Sequence, residues 1–215
     1  MAALTEGPRA LTTDRSIPFY NLILRCDRYE KREILLPDGY AFASFRAGYV
    51  SAWARLECEE GDFSSPGEAE AYFRAAYLTD PAALGERAVF ALDRTGEVAG
   101  SCIAWRDRRG EGDAASLHWL IVAEAHRGIG LGRALCCRTM EIFARRGEMP
   151  VYIHTQPWSW RAVLLYLSLG FRLQKSDTFS HYENQYEEAL RTLRAVLPPD
   201  AEARLGAALQ QLTDE

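Results

Sequence analysis

The chain has 215 residues, 48% hydrophobic and 26% charged, with a formal net charge of −5. This composition excludes collagen-like, disordered and disulfide-scaffold classes. The length suits one domain with a small appendage, at about 100–200 residues per domain, and can bury a core without staples. No apolar run approaches the roughly 18 residues of a membrane span. The N-terminus lacks the apolar stretch of an export signal, and no basic run suits nucleic acid. A cytoplasmic protein with neither membrane nor nucleic-acid partner is expected. The five cysteines, at 26, 58, 102, 136 and 137, contain no C-x-x-C pair. They predict buried free thiols and no metal site.

Residues 1–15 carry Gly, Pro and Thr without periodicity and read as a mobile N-terminus. Residues 16–180 read as the main domain and 181–215 as a helical extension packed on it. Residues 17–24 (IPFYNLIL) suggest a strand, Leu36-Pro37-Asp38-Gly39 a turn, and residues 40–45 an alternating strand. Residues 48–58 predict a helix, with Val50, Trp53, Ala54 and Leu56 or Glu57 at helical spacing. After a loop, Ser65-Pro66-Gly67-Glu68 signals a second helix, with a Ser cap, Pro at the first position and Glu three residues on. It runs to about Leu78 with Ala69, Tyr72, Phe73 and Ala76 on one face.

Strands at 87–92 and 97–105 flank the hairpin turn Asp93-Arg94-Thr95-Gly96. Residues 106–113 are charged and read as a loop, and 115–122 as a strand. A helix over 130–146 ends with Arg145 and Arg146 in its last turn and Gly147 beyond. A strand at 151–155 precedes a helix at 159–169, capped by Ser159 and ended by Gly170. A short strand follows at 171–175. Residues 183–196 and 199–212 predict two amphipathic helices separated by Pro198-Pro199. The order predicts an α+β fold with a mixed sheet.

The informative segment is Leu120 to Leu135, LIVAEAHRGIGLGRAL. An apolar strand runs into a glycine-rich turn that opens a helix. Glycines at 128, 130 and 132 let backbone N–H groups approach a bulky anion, and the helix N-terminus adds partial positive charge. Arg127 and Arg133 add full charges. A phosphate or diphosphate ligand is predicted. The Lys of a P-loop is missing. The third Gly of a dinucleotide fingerprint is replaced by Arg133 in one frame and Leu135 in the other.

Arg127-Gly-Ile-Gly130-Leu-Gly132 resembles the [QR]-x-x-G-x-[GA] signature of the GNAT superfamily, the acyl-CoA-dependent N-acyltransferases. The strand LHWLIV before it, VYIHT after it and Tyr166-Leu-Ser-Leu-Gly170-Phe171 are similar to that family in the same order. The resemblance is specific over residues 87–175 and weaker from 40 to 80. It implies a mostly antiparallel central sheet flanked by helices, here with extra C-terminal helices. It also implies acetyl-CoA or another acyl-CoA as co-substrate. Backbone groups of Leu120, Ile121 and Val122 would pair with the pantetheine arm. The amides of Gly128, Ile129, Gly130, Leu131, Gly132 and Arg133 would hold the diphosphate, beside Arg127. Tyr166 stands where the family often has a general acid. Ser159 replaces the Asn of the common N-x-x-A-x-x-[LV]-Y pattern, with a shorter reach.

Acyl transfer to an amine needs a neutral amine, a polarised carbonyl and a protonated leaving thiolate. A strand amide near Leu120 would polarise the carbonyl. Tyr166 would protonate the thiolate, since phenol and thiol pKa values lie near 10 and 8.5. His118, taken to alternate with Leu120 and Val122 on one strand face, is a base candidate. So is Glu57, which with Glu59 and Glu60 ends the first helix. Cys136 and Cys137 lie among apolar residues and read as core. The acceptor is a primary amine on a small molecule or a protein, and net acidity favours cationic ones. A non-catalytic acyl-CoA-binding or sensing module stays open, as does a homodimer through the C-terminal helices.

Overall fold

In the computed structural model, which describes residues 15–210, one seven-stranded sheet runs β2-β3-β4-β5-β6-β1-β7. The strands are β1 (Leu22–Cys26), β2 (Ala41–Ser44), β3 (Ala88–Leu92), β4 (Val98–Arg109), β5 (Gly112–Val122), β6 (Val151–Thr155) and β7 (Arg172–Leu173). Every neighbouring pair is antiparallel except β5 and β6, which are parallel. The expected mixed, mostly antiparallel sheet is therefore present. The N-terminus expected to be mobile lies outside the described residues apart from Arg15, as do the last two residues of the helix expected to reach 212.

Helices cover both faces. α1 (Tyr49–Glu59) buries Val50, Trp53, Ala54, Leu56 and Glu57, the positions its spacing picked out. α2 (Pro66–Tyr77) begins at Ser65, whose side chain accepts from the Glu68 amide. Its buried face is Ala69, Phe73 and Tyr77; Tyr72 is left 39% exposed. A short helix, α3 (Pro81–Arg87), was not expected, although Asp80 caps it and Pro81 opens it. Trp53, Phe73, Tyr77, Leu84, Phe90 and Ile103 form the core on this face. Fully burying each such side chain contributes roughly 1.5–3 kcal/mol.

The other face carries α4 (Leu131–Arg145), α5 (Trp160–Ser168), α6 (Tyr186–Val196) and α7 (Pro199–Gln210). Leu135, Met140 and Phe143 of α4 pack with Leu22, Leu24, Ile153 and Leu117 of the sheet. Ala189, Leu190, Leu193, Ala201 and Leu205 of the last two helices join the same core. Cys136 and Cys137 are buried there as free thiols.

Two features position the site. First, β5 and β6 pair only at Ala115–Val151 and Ser116–Tyr152, and beyond that point they diverge. Second, the β4–β5 ladder jumps from Ile103–His118 to Ser101–Ile121, so Trp119 and Leu120 face a single residue. Trp119 takes φ +49°, rare for a bulky residue and a mark of a constrained site. Gly100 is required beside this bulge, because a Cβ there would lie 2.6 Å from the Ile121 carbonyl oxygen. The charged loop expected at 106–113 is instead the far arm of this hairpin. Arg109 pairs with Gly112 across a turn at Gly110, φ +60°. Two of the arm's charges have partners outside it: Arg106 bonds Glu148 and Arg109 bonds Asp177. Composition alone therefore misled there.

Candidate active site

The glycine turn leads β5 into α4. Gly128 and Gly130 have φ +79° and +91°, and no atom lies within 4 Å of a Cβ built on either. The conformation, rather than crowding, demands glycine here. Gly130 is the N-cap of α4 and its side of the loop is exposed. The first-turn amides of Leu131, Gly132 and Arg133 have no intrahelical acceptor, as at any helix start. Ile129 is 48% exposed at the tip. Arg133 is exposed in the first turn, with one guanidinium nitrogen 3.0 Å from Ser168 Oγ. These groups fit an anion such as a diphosphate.

Arg127 does not add to that site in the way its place in the motif suggested. Its Nε donates to the Val122 carbonyl at 2.8 Å and its Nη2 to the Glu60 carboxylate. The guanidinium is turned inward, with Nη1 buried and unpartnered among the described residues. It ties the glycine turn to the end of α1. The Ala123 amide bonds the Ala99 carbonyl on β4. By alternation the Leu120 and Val122 backbone groups face the splayed side. The Val122 carbonyl is engaged by Arg127, which leaves its amide for a partner there. Ile121 lies between them, 6% exposed.

His118 does not share a face with Leu120 and Val122. The bulge inserts a residue, so His118 and Trp119 both meet the α1–α2 side, while Leu120 and Val122 pack on the opposite core. This corrects the simple alternation expected from sequence. His118 Nδ1 lies 2.7 Å from the Tyr77 hydroxyl and Nε2 2.7 Å from Asp107 Oδ2. Asp107 falls in the charged segment expected to be a loop, where nothing local singles it out. Burial acts to raise its carboxyl, but the His118 hydrogen bond and charge outweigh it and hold the group below its usual range.

On the α1–α2 face, aromatic side chains stand on both sides of the β5–β6 splay. Tyr72 and Trp119 stand on one side, with ring centroids 5.5 Å apart. His154 of β6 and Tyr182 stand on the other, stacked at 3.4 Å. Burial, then His181, lowers the His154 pKa to about 4, so it is neutral. Its Nε2 meets Asn21 Oδ1 at 2.8 Å, which fixes it in place. Arg15 joins the two sides: it pairs with Asp62 after α1 at 2.5 Å and lies 4.2 Å over the Trp158 ring.

Glu57 is not a solvated carboxylate. It is 2% exposed, with Oε1 unpartnered among the described residues. Burial, then Asp62 and Glu60, push its carboxyl well above the usual range. Of the acidic trio only Glu59 is exposed. Tyr166 lies on α5, 5% exposed, with its ring 5.9 Å from Phe171. Burial, then Cys136 and Cys102, raises its phenol well above 10, so it keeps its proton. Ser159 holds the N-cap position of α5 but caps nothing with its side chain. Its hydroxyl accepts from Gln156 Nε2 at 3.0 Å instead. A groove of about 430 Å³ lined by Arg106, Arg109, Glu148 and Tyr152 lies at the other end of β5, away from the glycine turn. Among the described residues no helix is long and apolar enough to cross a membrane.

The chain belongs to the Acetyltransferase (GNAT) family, whose family model matches residues 49–171. Members of that family use acyl-CoA. An uncharacterized N-acetyltransferase of Mycobacterium tuberculosis is 28% identical over 115 residues, 52% of this chain and 69% of that protein. A GCN5-related N-acetyltransferase from Kribbella flavida is similar in structure, with TM-score 0.52 and 27% identity over 64% of this chain and 84% of that one. One from Sphaerobacter thermophilus has TM-score 0.52 at 18% identity, covering 74% of this chain; the match spans about half, 49%, of that longer protein. A Salmonella typhimurium protein described as a putative acetyltransferase, solved with acetyl-CoA, has TM-score 0.51 at 16% identity, over 68% of this chain and 90% of that one.

Proposed function

We propose that this protein is an acyl-CoA-dependent N-acyltransferase that moves an acetyl or other short acyl group to a primary amine by direct attack. The observation that carries the reading is the junction of β5 and α4. A strand splayed from its neighbour offers free backbone groups, and the same chain turns at once into a helix N-terminus opened by positive-φ glycines. That sequence of parts suits a pantetheine arm that ends in a diphosphate. The Leu120 and Val122 backbone would hold the arm. The amides from Gly128 to Arg133 would hold the diphosphate, and Arg127 would brace the turn from behind.

The chemistry follows from the groups at the splay. The amine nitrogen, once neutral, attacks the thioester carbonyl carbon. A backbone N–H at the Trp119–Leu120 bulge stabilises the oxyanion, since the bulge frees it from the ladder. The tetrahedral adduct collapses with loss of the thiolate, and Tyr166 supplies the proton. At ordinary pKa values that transfer would be uphill by about 2 kcal/mol, and the raised Tyr166 phenol makes it steeper, so the collapse to an amide has to drive it. His118 is the base candidate the geometry favours over Glu57, because its side chain keeps 16% exposure beside the bulge and Glu57 is sealed in α1.

A thermal-shift titration with acetyl-CoA, CoA and NADH tests the reading, followed by thiol release from acetyl-CoA with a panel of primary amines. Ligand at about 100 times its dissociation constant adds roughly 2.7 kcal/mol, or about 5–10 °C for a chain of this size. Stabilisation by acetyl-CoA and turnover with an amine are expected. Stabilisation without turnover would favour the acyl-CoA-sensing alternative, and a response to NADH alone would sink both.

A further inference from the structure

Three side chains from three elements meet beside the bulge: Asp107 of β4, His118 of β5 and Tyr77 of α2. We propose that Asp107 and Tyr77 are positioning residues that fix His118 as its Nε2–H tautomer and route the acceptor amine's proton to Nδ1 through the Tyr77 hydroxyl. The inference rests on the acyltransferase reading above and deepens it.

The tautomer follows from valence. A carboxylate only accepts hydrogen bonds, so the 2.7 Å contact to Asp107 Oδ2 places the proton on Nε2. Nδ1 then carries the lone pair, and the 2.7 Å contact to Tyr77 is an O–H donated to it. The surroundings agree. Asp107 is held ionised by His118 against the pull of burial, and burial keeps Tyr77 protonated. Each group can play only the part assigned to it.

The consequence concerns access. Both His118 nitrogens are occupied, so the imidazole cannot meet an amine directly. Tyr77 is itself fully buried. Its neighbour Tyr72, whose side chain hydrogen-bonds that of Tyr77, is 39% exposed. An ammonium acceptor gives one proton to the Tyr72 oxygen. The Tyr72 proton passes to Tyr77, and the Tyr77 proton passes to Nδ1. The net change is one proton moved from ammonium to imidazole, with both phenols restored. The imidazolium formed is paired at once with the Asp107 carboxylate. The proton returns to solvent by the same path after acyl transfer.

The titratable groups around this chain come from every neighbouring element. They are Glu57 of α1, Tyr72 and Tyr77 of α2, Asp107 of β4 and His154 of β6. His181 and Tyr182 face it from the segment after β7. Of these only Asp107 bonds His118 as an anion.

Long-range 1H–15N spectra of the full chain read the tautomer, with His118→Gln assigning the resonance. The Nε2–H form is expected in the parent protein. In thiol release from acetyl-CoA with spermidine, tyramine or glucosamine, or with water as the basal acceptor, kcat of Asp107→Asn and Tyr77→Phe should fall about 10-fold or more. KM for acetyl-CoA should stay within about twofold. An Nδ1–H tautomer in the parent protein, or parent-like kcat in both folded variants, would overturn the inference. Absence of acetyl-CoA binding by the parent protein would overturn the acyltransferase reading instead, while the spectra still judge the dyad.

Discussion

Replacing Gly130 separates backbone strain from charge at the proposed diphosphate site. Gly130 has φ +91°, and no atom lies within 4 Å of a Cβ built there. Asn and Asp both tolerate this region at roughly 1 kcal/mol, so both variants should fold, with melting about 2–4 °C lower. They differ in one negative charge. At about 5 Å a pair of unit charges costs about 0.8 kcal/mol at a water-like dielectric and about 3.3 at the lower value near a protein surface. Against the two charges of a diphosphate this gives about 1.7–7 kcal/mol, or at least about 15-fold in affinity. Calorimetric titration of CoA into both variants at low and high salt is the assay. Gly130→Asn should bind within about tenfold of the parent and Gly130→Asp far more weakly, with the gap narrowing as salt screens it. Equal affinities for the two variants would mean that the diphosphate lies elsewhere.

Tyr166→Phe should lower kcat about tenfold or more and leave CoA affinity within about twofold; unchanged turnover would remove Tyr166 as the acid. Glu148 meets Arg87 and Arg106 at 2.6 and 2.5 Å. Burial acts to raise its carboxyl, but those hydrogen bonds outweigh it and pull the pKa to about 2. A depressed carboxylate stabilises the fold above its unfolded value near 4.5, and that stability drains as pH falls toward 2. Glu148→Gln should cost about 2–3 kcal/mol in urea melts at pH 7 and much less at pH 3; a pH-independent loss would contradict this. Glu57 has the opposite sign: its raised carboxyl makes the parent lose stability as pH rises above about 4.5. Glu57→Gln should gain on the parent as pH rises above about 4.5, and parallel melting curves would show that Glu57 ionises freely.

The strand–glycine–helix segment was legible in sequence because its demands are local. A positive φ needs Gly at 128 and 130, and an apolar alternation needs a strand before them. The capping of α2 was legible for the same reason. What escaped was non-local. Asp107 lies in a stretch whose charges suggested a loop, and only the long β4–β5 pairing places it under His118. The facing of His118 was misjudged because a bulge at a tryptophan carries no compositional mark. Arg127 suggested anion binding by type, yet Glu60, far away in sequence, turns it inward. The Asp80-Pro81 signal of α3 was present in the sequence and was missed in favour of the strand after it.

The place of β1 bears on how the protein is made. Its partners, β6 and β7, are encoded more than half the chain later, as the Leu22–Thr155 and Leu24–Leu173 pairings show. A ribosome releasing this chain delivers β1 long before either partner exists. Until β7 emerges, Leu22, Ile23 and Leu24, all fully buried in the finished sheet, have no place to go. Such long-range closure slows folding and leaves a sticky strand on the nascent chain. Biogenesis should therefore draw on holdase chaperones more than the domain's size suggests, and expression should respond to anything that lengthens the wait between residues 26 and 172.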